Sequence, residues 1–163
     1  MLRFVRDFLF GCRNTNTFVT AKSLINMYPV ELTTPMAQDL TNFGFNGLTS
    51  ADQVTETLDK KEGTTLLVVN SVCGCAAANA RPGAKLALQN DKKPDNTVTV
   101  FAGVDHEATA KAREFLLPYP PSSPAIALFK DGQLVHFLER HHIEGRSAEI
   151  IAQNLAMAFD RYC

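Results

Sequence analysis

The 163-residue sequence has no excess of either charge: sixteen basic side chains face seventeen acidic ones. A balanced chain gives no bulk field that would gather nucleic acid or an anionic membrane, so neither is expected as a partner. No apolar run is long enough to span a bilayer. No internal repeat or low-complexity tract is present, which argues against a repeat array. Cysteine is scarce: the four residues are Cys12, Cys73, Cys75 and Cys163. They lack the dense, dispersed spacing of a small secreted scaffold stapled by disulfides. One pair is separated by a single residue and the other two lie near the ends. That pattern points to a reducing, cytoplasmic setting and to redox or metal chemistry.

What is present is ordinary for a globular protein, with 45% hydrophobic and 20% charged residues. The length suits one domain with a real core. Residues 1–26 read differently. Arg3, Arg6, Arg13 and Lys22 stand against Asp7 alone, and Arg6 and Asp7 interrupt the apolar stretch. A secretory signal needs a cleaner apolar block. Leu9-Phe10-Gly11-Cys12 faintly resembles a lipoprotein cleavage site, and an Arg- and Thr-rich transit peptide is a further alternative. We read residues 1–26 as a disordered or non-native extension and residues 27–163 as the functional domain.

Within that domain, Thr34-Pro35 predicts a helix start, with Met36, Leu40 and Phe43 at helical spacing and Gly44 as a stop. Ser50 and Gln53 predict a capping box for a second helix carrying Val54 and Leu58 to about Lys60. The run from Thr64 to Asn70 is apolar without alternation, as in a central strand covered on both faces. A helix follows to about Gln89, with a kink expected at Pro82. A second strand is predicted from about Thr97 to Val104, and a helix capped by Asp105 to about Leu116. Pro118, Pro120, Pro121 and Pro124 punctuate a rigid loop before a third strand, Ala125 to Phe129. Asp131-Gly132 predicts a hairpin into a fourth strand, Gln133 to Glu139. Ser147 caps a last helix with Ile151, Leu155, Ala158 and Tyr162 along one stripe.

The strands joined by a crossover helix should be parallel and the hairpin pair antiparallel. The expected architecture is α/β: a four-stranded mixed sheet with helices on both faces, thioredoxin-like, behind an N-terminal helical extension. Cys73-Gly74-Cys75 then lies at the carboxyl end of a central strand, where open α/β sheets favour binding sites.

A helix N-terminus favours negative charge, so a thiol placed there ionises more easily, and the thiolate is the reactive form. Consecutive Cα atoms are about 3.8 Å apart, so a bent backbone brings Cys73 and Cys75 within disulfide range. The ring is small, and such a bond should be readily reduced, which suits exchange. Gly74 permits the tight turn and lets a substrate backbone or thiol approach. Cys73, nearer the strand end, is assigned as nucleophile and Cys75 as resolving thiol. The competing reading is two ordinary small hydrophobes in a turn. A metal-thiolate module using both sulfurs with Cys163 or a histidine is the non-enzymatic alternative. Two thiolates leave zinc incomplete, whereas copper(I) accepts two sulfurs. No metal is expected at the site.

Pro124 stands where a thioredoxin-like fold carries a cis proline facing the thiols. Ser123 before it is then held extended, where a substrate strand can pair with it. A trans proline that starts the strand is the alternative. Arg81 is offered as a ligand for an anionic thiol, or else as a plain surface arginine. His141 and His142 beside Arg140 and Glu144 read as solvated loop residues, and Asn70 and Asn79 as structural hydrogen-bonding groups. Cys163 is either an extra exchange partner or a frayed terminal thiol.

The segment Asn70-Ser71-Val72-Cys73-Gly74-Cys75-Ala76-Ala77, continued by Asn79-Ala80-Arg81-Pro82-Gly83, resembles the signature of the bacilliredoxin family. Met27-Tyr28-Pro29, Phe101-Ala102-Gly103, Tyr119-Pro120-Pro121-Ser122-Ser123-Pro124, Ile143-Glu144-Gly145-Arg146 and the terminal Tyr162-Cys163 agree with it. So does Ala108-Thr109-Ala110-Lys111-Ala112-Arg113-Glu114. The resemblance spans Met27 to Cys163, and Ala78 stands where the family pattern has glycine. It implies a thioredoxin-like fold and a cytosolic thiol–disulfide role: removal of bacillithiol from protein mixed disulfides, with weak disulfide isomerase or reductase activity. It implies Cys73 as attacking cysteine and Cys75 as its partner. No tightly bound cofactor follows from it. Bacillithiol or a similar low-molecular-weight thiol is the cosubstrate, and S-thiolated client proteins are the partners.

Overall fold

The computed structural model describes residues 28–163. The readings of the N-terminal extension, of Cys12 and of Met27 as a domain start lie outside the described residues. Helix α1 spans Val30–Thr41, one turn earlier than Thr34-Pro35 suggests. Pro29 is the reason. Its carbonyl already accepts from the Leu32 and Thr33 amides at 3.1 and 3.2 Å, so Pro35 lies inside the helix. Phe43 falls beyond the helix end and is 47% exposed. Strand β1, Asn46–Gly47, follows. Helix α2, Ala51–Leu58, starts on the expected capping box, with reciprocal Ser50–Gln53 bonds of 3.3 Å each.

Strand β2, Thr64–Asn70, is buried at every residue, as its unbroken apolar run requires. Beyond the cysteines, the chain makes a π-helical turn, Ala76–Ala80, and then helix α3, Arg81–Ala87. This replaces the single kinked helix expected from Pro82. The Arg81 amide reaches back to the Ala76 carbonyl, and the wider turn sets Pro82 in the first turn of α3. A missing N–H is tolerated there.

Strand β3 is Asn96–Phe101 and helix α4 is His106–Phe115. Asp105 precedes α4 but does not cap it through its side chain. Its carboxylate turns back to accept from the Phe101 amide at 3.0 Å. Strands β4, Ala125–Lys130, and β5, Gln133–Leu138, form the predicted hairpin. Asp131 and Gly132 have φ of 51° and 76°, the geometry of a tight two-residue turn. A short helix α5, Arg140–Ile143, takes the place of the expected loop at the histidines. Helix α6, Ala148–Tyr162, begins where the Ser147 hydroxyl accepts from the Ile150 amide.

The sheet order is β1-β3-β2-β4-β5, with β1, β3 and β2 parallel and β4 and β5 antiparallel to their neighbours. It has five strands where the sequence predicted four. The extra one, β1, has two residues, too few to show a period, and Asn-Gly reads locally as a turn. Leu66 and Val68 of β2 pack with Leu40, Ala84, Ile151, Leu155 and Phe159 on one face. Leu67 and Val69 pack with Val54, Leu58, Ala108 and Ala112 on the other. The fold is therefore the thioredoxin-like three-layer arrangement, with β2 in its centre.

Helices α3 and α6 meet at Gly83, where an added Cβ would lie 2.7 Å from Ile151 Cγ2 and 3.2 Å from the Ala148 carbonyl oxygen. Ile151 is buried and cannot withdraw. Gly83→Ala is therefore expected to lower stability by about 1–2 kcal/mol, although alanine is the better helix former by about 1 kcal/mol. Urea unfolding measures this, and a gain in stability would show that the two helices can separate freely.

Candidate active site

Strand β2 delivers Ser71, Val72 and Cys73 to the sheet's carboxyl edge, and the following helical turn begins at once. The Cys73 carbonyl accepts from the Ala76 and Ala77 amides at 3.1 and 3.3 Å. The Cys73 sulfur accepts from the Ala76 amide at 3.3 Å, so it occupies the place of a capping side chain. It also receives the Ser71 hydroxyl at 3.2 Å. Both donors favour the charged form of that sulfur. Cys73 and Cys75 are joined as a disulfide, with Cα atoms 5.4 Å apart. Both residues are half-buried, so exposure does not separate them. What separates them is that Cys73 lines a cleft and receives donors, whereas Cys75 is not among that cleft's lining.

The cleft has a volume of about 360 Å³. Its floor is Ser71, Val72 and Cys73, one wall is His106 and Arg113 of α4, and Ser123 and Arg140 form another. Tyr28 and Gly103 close it. Gly103 has φ of 90°, and a Cβ there would lie 3.0 Å from the Tyr28 ring. The Ser123–Pro124 bond is cis. Ser123 lines the cleft with Cys73, and Pro124 is buried. Gly74 is exposed, with open space where a Cβ would stand. The Arg140 amide donates to the Ser122 hydroxyl at 2.7 Å, tying the end of β5 to the proline-rich loop.

Arg81 is neither on the surface nor in the cleft's lining. Its side chain is 7% exposed, and Nε donates to Asp39 Oδ2 at 2.7 Å. Nη1 donates to Asn70 Oδ1 at 3.2 Å. The same Asn70 oxygen accepts the Ser71 amide at 2.9 Å, and Asn70 Nδ2 donates to the Met36 carbonyl at 3.1 Å. Lys85 completes the group, donating to Asp39 Oδ1 at 2.7 Å. Arg81 therefore reaches the thiol loop from below, through Asn70 and Ser71. Burial pushes the Asp39 carboxyl up, but bonds and charge from Lys85 and Arg81 outweigh it and hold it below its ordinary value.

The other sequence candidates lie elsewhere. Cys163 is exposed, with its thiol beside Thr64 and Asp95, at the opposite end of β2 from Cys73. A seven-residue strand places the two about 20 Å apart. Cys163 is thus no local exchange partner or shared metal ligand for Cys73. Among the described residues, the histidine, cysteine and acidic side chains grouped closely enough to hold a metal are Glu139, His141 and His142, without either thiol. Asn79 donates to the Arg146 carbonyl, tying the π-turn to the loop before α6.

Ser71 was recognisable as a hydroxyl two residues before the thiol. His106, Arg113 and Asp39 gave no signal, because only folding brings α4 and α1 to this loop. Removing the Ser71 hydroxyl should destabilise the charged sulfur. We expect Ser71→Ala to slow alkylation of reduced Cys73 about threefold to tenfold at pH 6.5. The deficit should close as the pH rises and both proteins become fully ionised. Equal slowing at every pH would mean that the hydroxyl acts on loop shape alone.

A helix-capping dithiol at the edge of a thioredoxin-like sheet defines a thiol–disulfide oxidoreductase. The family model described as Disulphide isomerase matches residues 28–163. A bacilliredoxin of Cytophaga hutchinsonii is 60% identical over 134 residues, covering 82% of this chain and 98% of its own length. One of Halalkalibacterium halodurans is 52% identical over 136 residues, covering 83% and 94%. The chain belongs to the bacilliredoxin family. Among solved structures, thioredoxin of Malassezia sympodialis aligns at 15% identity and a TM-score of 0.48, over 73% of this chain and 90% of that one. No helix among the described residues is long and apolar enough to cross a membrane.

Proposed function

We propose that this protein removes bacillithiol from mixed disulfides on cytoplasmic client proteins. The observation that carries the reading is the Cys73 sulfur: it faces the cleft and accepts two hydrogen bonds that favour its thiolate. The reduced Cys73 thiolate attacks the small thiol's sulfur in the client's mixed disulfide. The client thiolate leaves, and Cys73 carries the small thiol. The Cys75 thiolate then attacks Cys73 Sγ, expelling the small thiol and forming the Cys73–Cys75 disulfide. Free bacillithiol attacking the carried thiol's sulfur would restore Cys73 directly. Gly74, exposed and without a side chain, leaves room for the incoming disulfide, and Ser123, on the opposite wall of the cleft, offers backbone groups to the client. The chemistry draws only on sulfur exchange, with the small thiol as cosubstrate.

The test is to incubate the reduced protein with a bacillithiolated client and follow the adduct by mass spectrometry. Release faster than by free thiol alone is expected. A general disulfide isomerase is the second reading, favoured by the description of the matching family model. Refolding of scrambled substrate without bacillithiol, at rates exceeding adduct release, would establish it instead.

A further inference from the structure

The cleft beside Cys73 carries three basic side chains, His106, Arg113 and Arg140, and among the described residues no acidic one lines it. Arg113 is the informative one. Its Nε is buried and has no hydrogen-bond partner among the described residues. Buried guanidinium nitrogens are normally paired, and leaving one unmade costs about 1–3 kcal/mol. His106 and Arg113 lie two turns apart on α4, and Arg140 faces them from the start of α5. Arg140 pairs with Glu144 at 3.2 Å, but that pair is exposed and weak, so the guanidinium is free to exchange partners. The neighbouring Asp105 carboxylate is engaged elsewhere, accepting from the Phe101 amide at 3.0 Å.

We propose that Arg113 and Arg140, supported by His106, form a carboxylate-binding subsite for the non-reacting end of the small thiol. This deepens the proposed function and rests on it. Two guanidinium forks match carboxylate geometry, and arginine is the side chain suited to that recognition. The volume of about 360 Å³ suits a small molecule rather than a folded segment. A thiol held by its carboxylates against α4 presents its sulfur to Cys73 on the cleft floor. The same cations favour the Cys73 thiolate, so binding and reactivity are coupled at one place. Arg81, which the sequence offered for this role, is engaged from below by Asp39 and Asn70.

The experiment compares two small thiols on the oxidised protein. Mercaptosuccinate carries two carboxylates and thioglycerol carries none. In each case the thiolate attacks Cys73 Sγ, a new disulfide forms there, and Cys75 leaves as thiolate. Acid quenching, alkylation and mass spectrometry give both rates. Their ratio in wild type divided by the ratio in a variant cancels the intrinsic reactivity of the thiols. Arg113→Gln and Arg140→Gln are each expected to lower the ratio about tenfold. The wild-type ratio should also fall with added salt. Arg161→Gln on α6, with the same change of charge, should leave the ratio unchanged. A ratio that neither cleft variant moves beyond the Arg161→Gln control overturns the subsite, as does a salt-independent wild-type ratio. No reaction with either thiol overturns the exchange chemistry itself, which keeps the two failures apart.

Discussion

Replacing Cys73 with alanine is expected to reduce bacillithiol release from a client protein to the uncatalysed rate, a loss of about a thousandfold or more. The magnitude follows from removing the attacking thiolate, because residues acting around an absent nucleophile retain little. Cys75→Ala should behave differently. The first exchange needs only Cys73, its two donors and the cleft, all of which survive. With no free small thiol added, the second needs Cys75, so the variant should accumulate one small-thiol adduct per chain on Cys73. Intact-mass spectrometry separates the two results directly. If both variants fail at the first step, the division of roles between the two sulfurs is wrong. If both release the adduct as the wild type does, the exchange takes place elsewhere.

The second large effect is on stability. Arg81→Met should lower it by about 2–4 kcal/mol, because methionine fills the space but leaves part of a buried polar group unpaired. The Arg81 side chain is 7% exposed, whereas Asp39 is 35% exposed and keeps Lys85, which places the loss toward the lower end. The pH dependence follows from Asp39, whose carboxyl is held below its ordinary value of 3.8. A carboxylate with a depressed folded value stabilises the native state above its unfolded value. That contribution is lost as the pH falls through the folded one. The gap between wild type and Arg81→Met should therefore be widest above about pH 5 and narrow at more acidic pH. Urea unfolding across that range tests it. A gap of constant size would assign the loss to packing and remove the ion pair from the explanation. Since Asn70 links Arg81 to Ser71, the variant should also slow alkylation of Cys73, by less than Ser71→Ala does.

Much of the fold was legible because it depends on neighbours in the chain. The strand Thr64–Asn70 could be read from its unbroken apolar run, the capping box from Ser50 and Gln53, the hairpin from Asp131-Gly132 and the last helix from Ser147 and its stripe. Each signal lies within a few residues of the element it specifies. The misreadings have equally local causes. Pro35 looked like a helix start because proline suits a first turn, yet the Pro29 carbonyl had already begun the helix. Pro82 looked like a kink, yet a π-turn absorbed it. Strand β1 and helix α5 were too short for any period to show.

The site divides along the same line. Sequence alone determined the paired cysteines, the glycine between their sulfurs and the helical turn that starts there, since these are consecutive residues obeying local backbone rules. Only the tertiary structure decided which cations face Cys73. Arg113 stands forty residues beyond it and Arg140 further still, and nothing in their own segments distinguishes them from solvated arginines. Arg81, a few residues from the motif, was instead drawn beneath the loop by Asp39 on α1. Proximity along the chain sets backbone geometry, whereas the field at a sulfur is set by distance in space, and only the packing of α1, α4 and α5 around β2 establishes that distance.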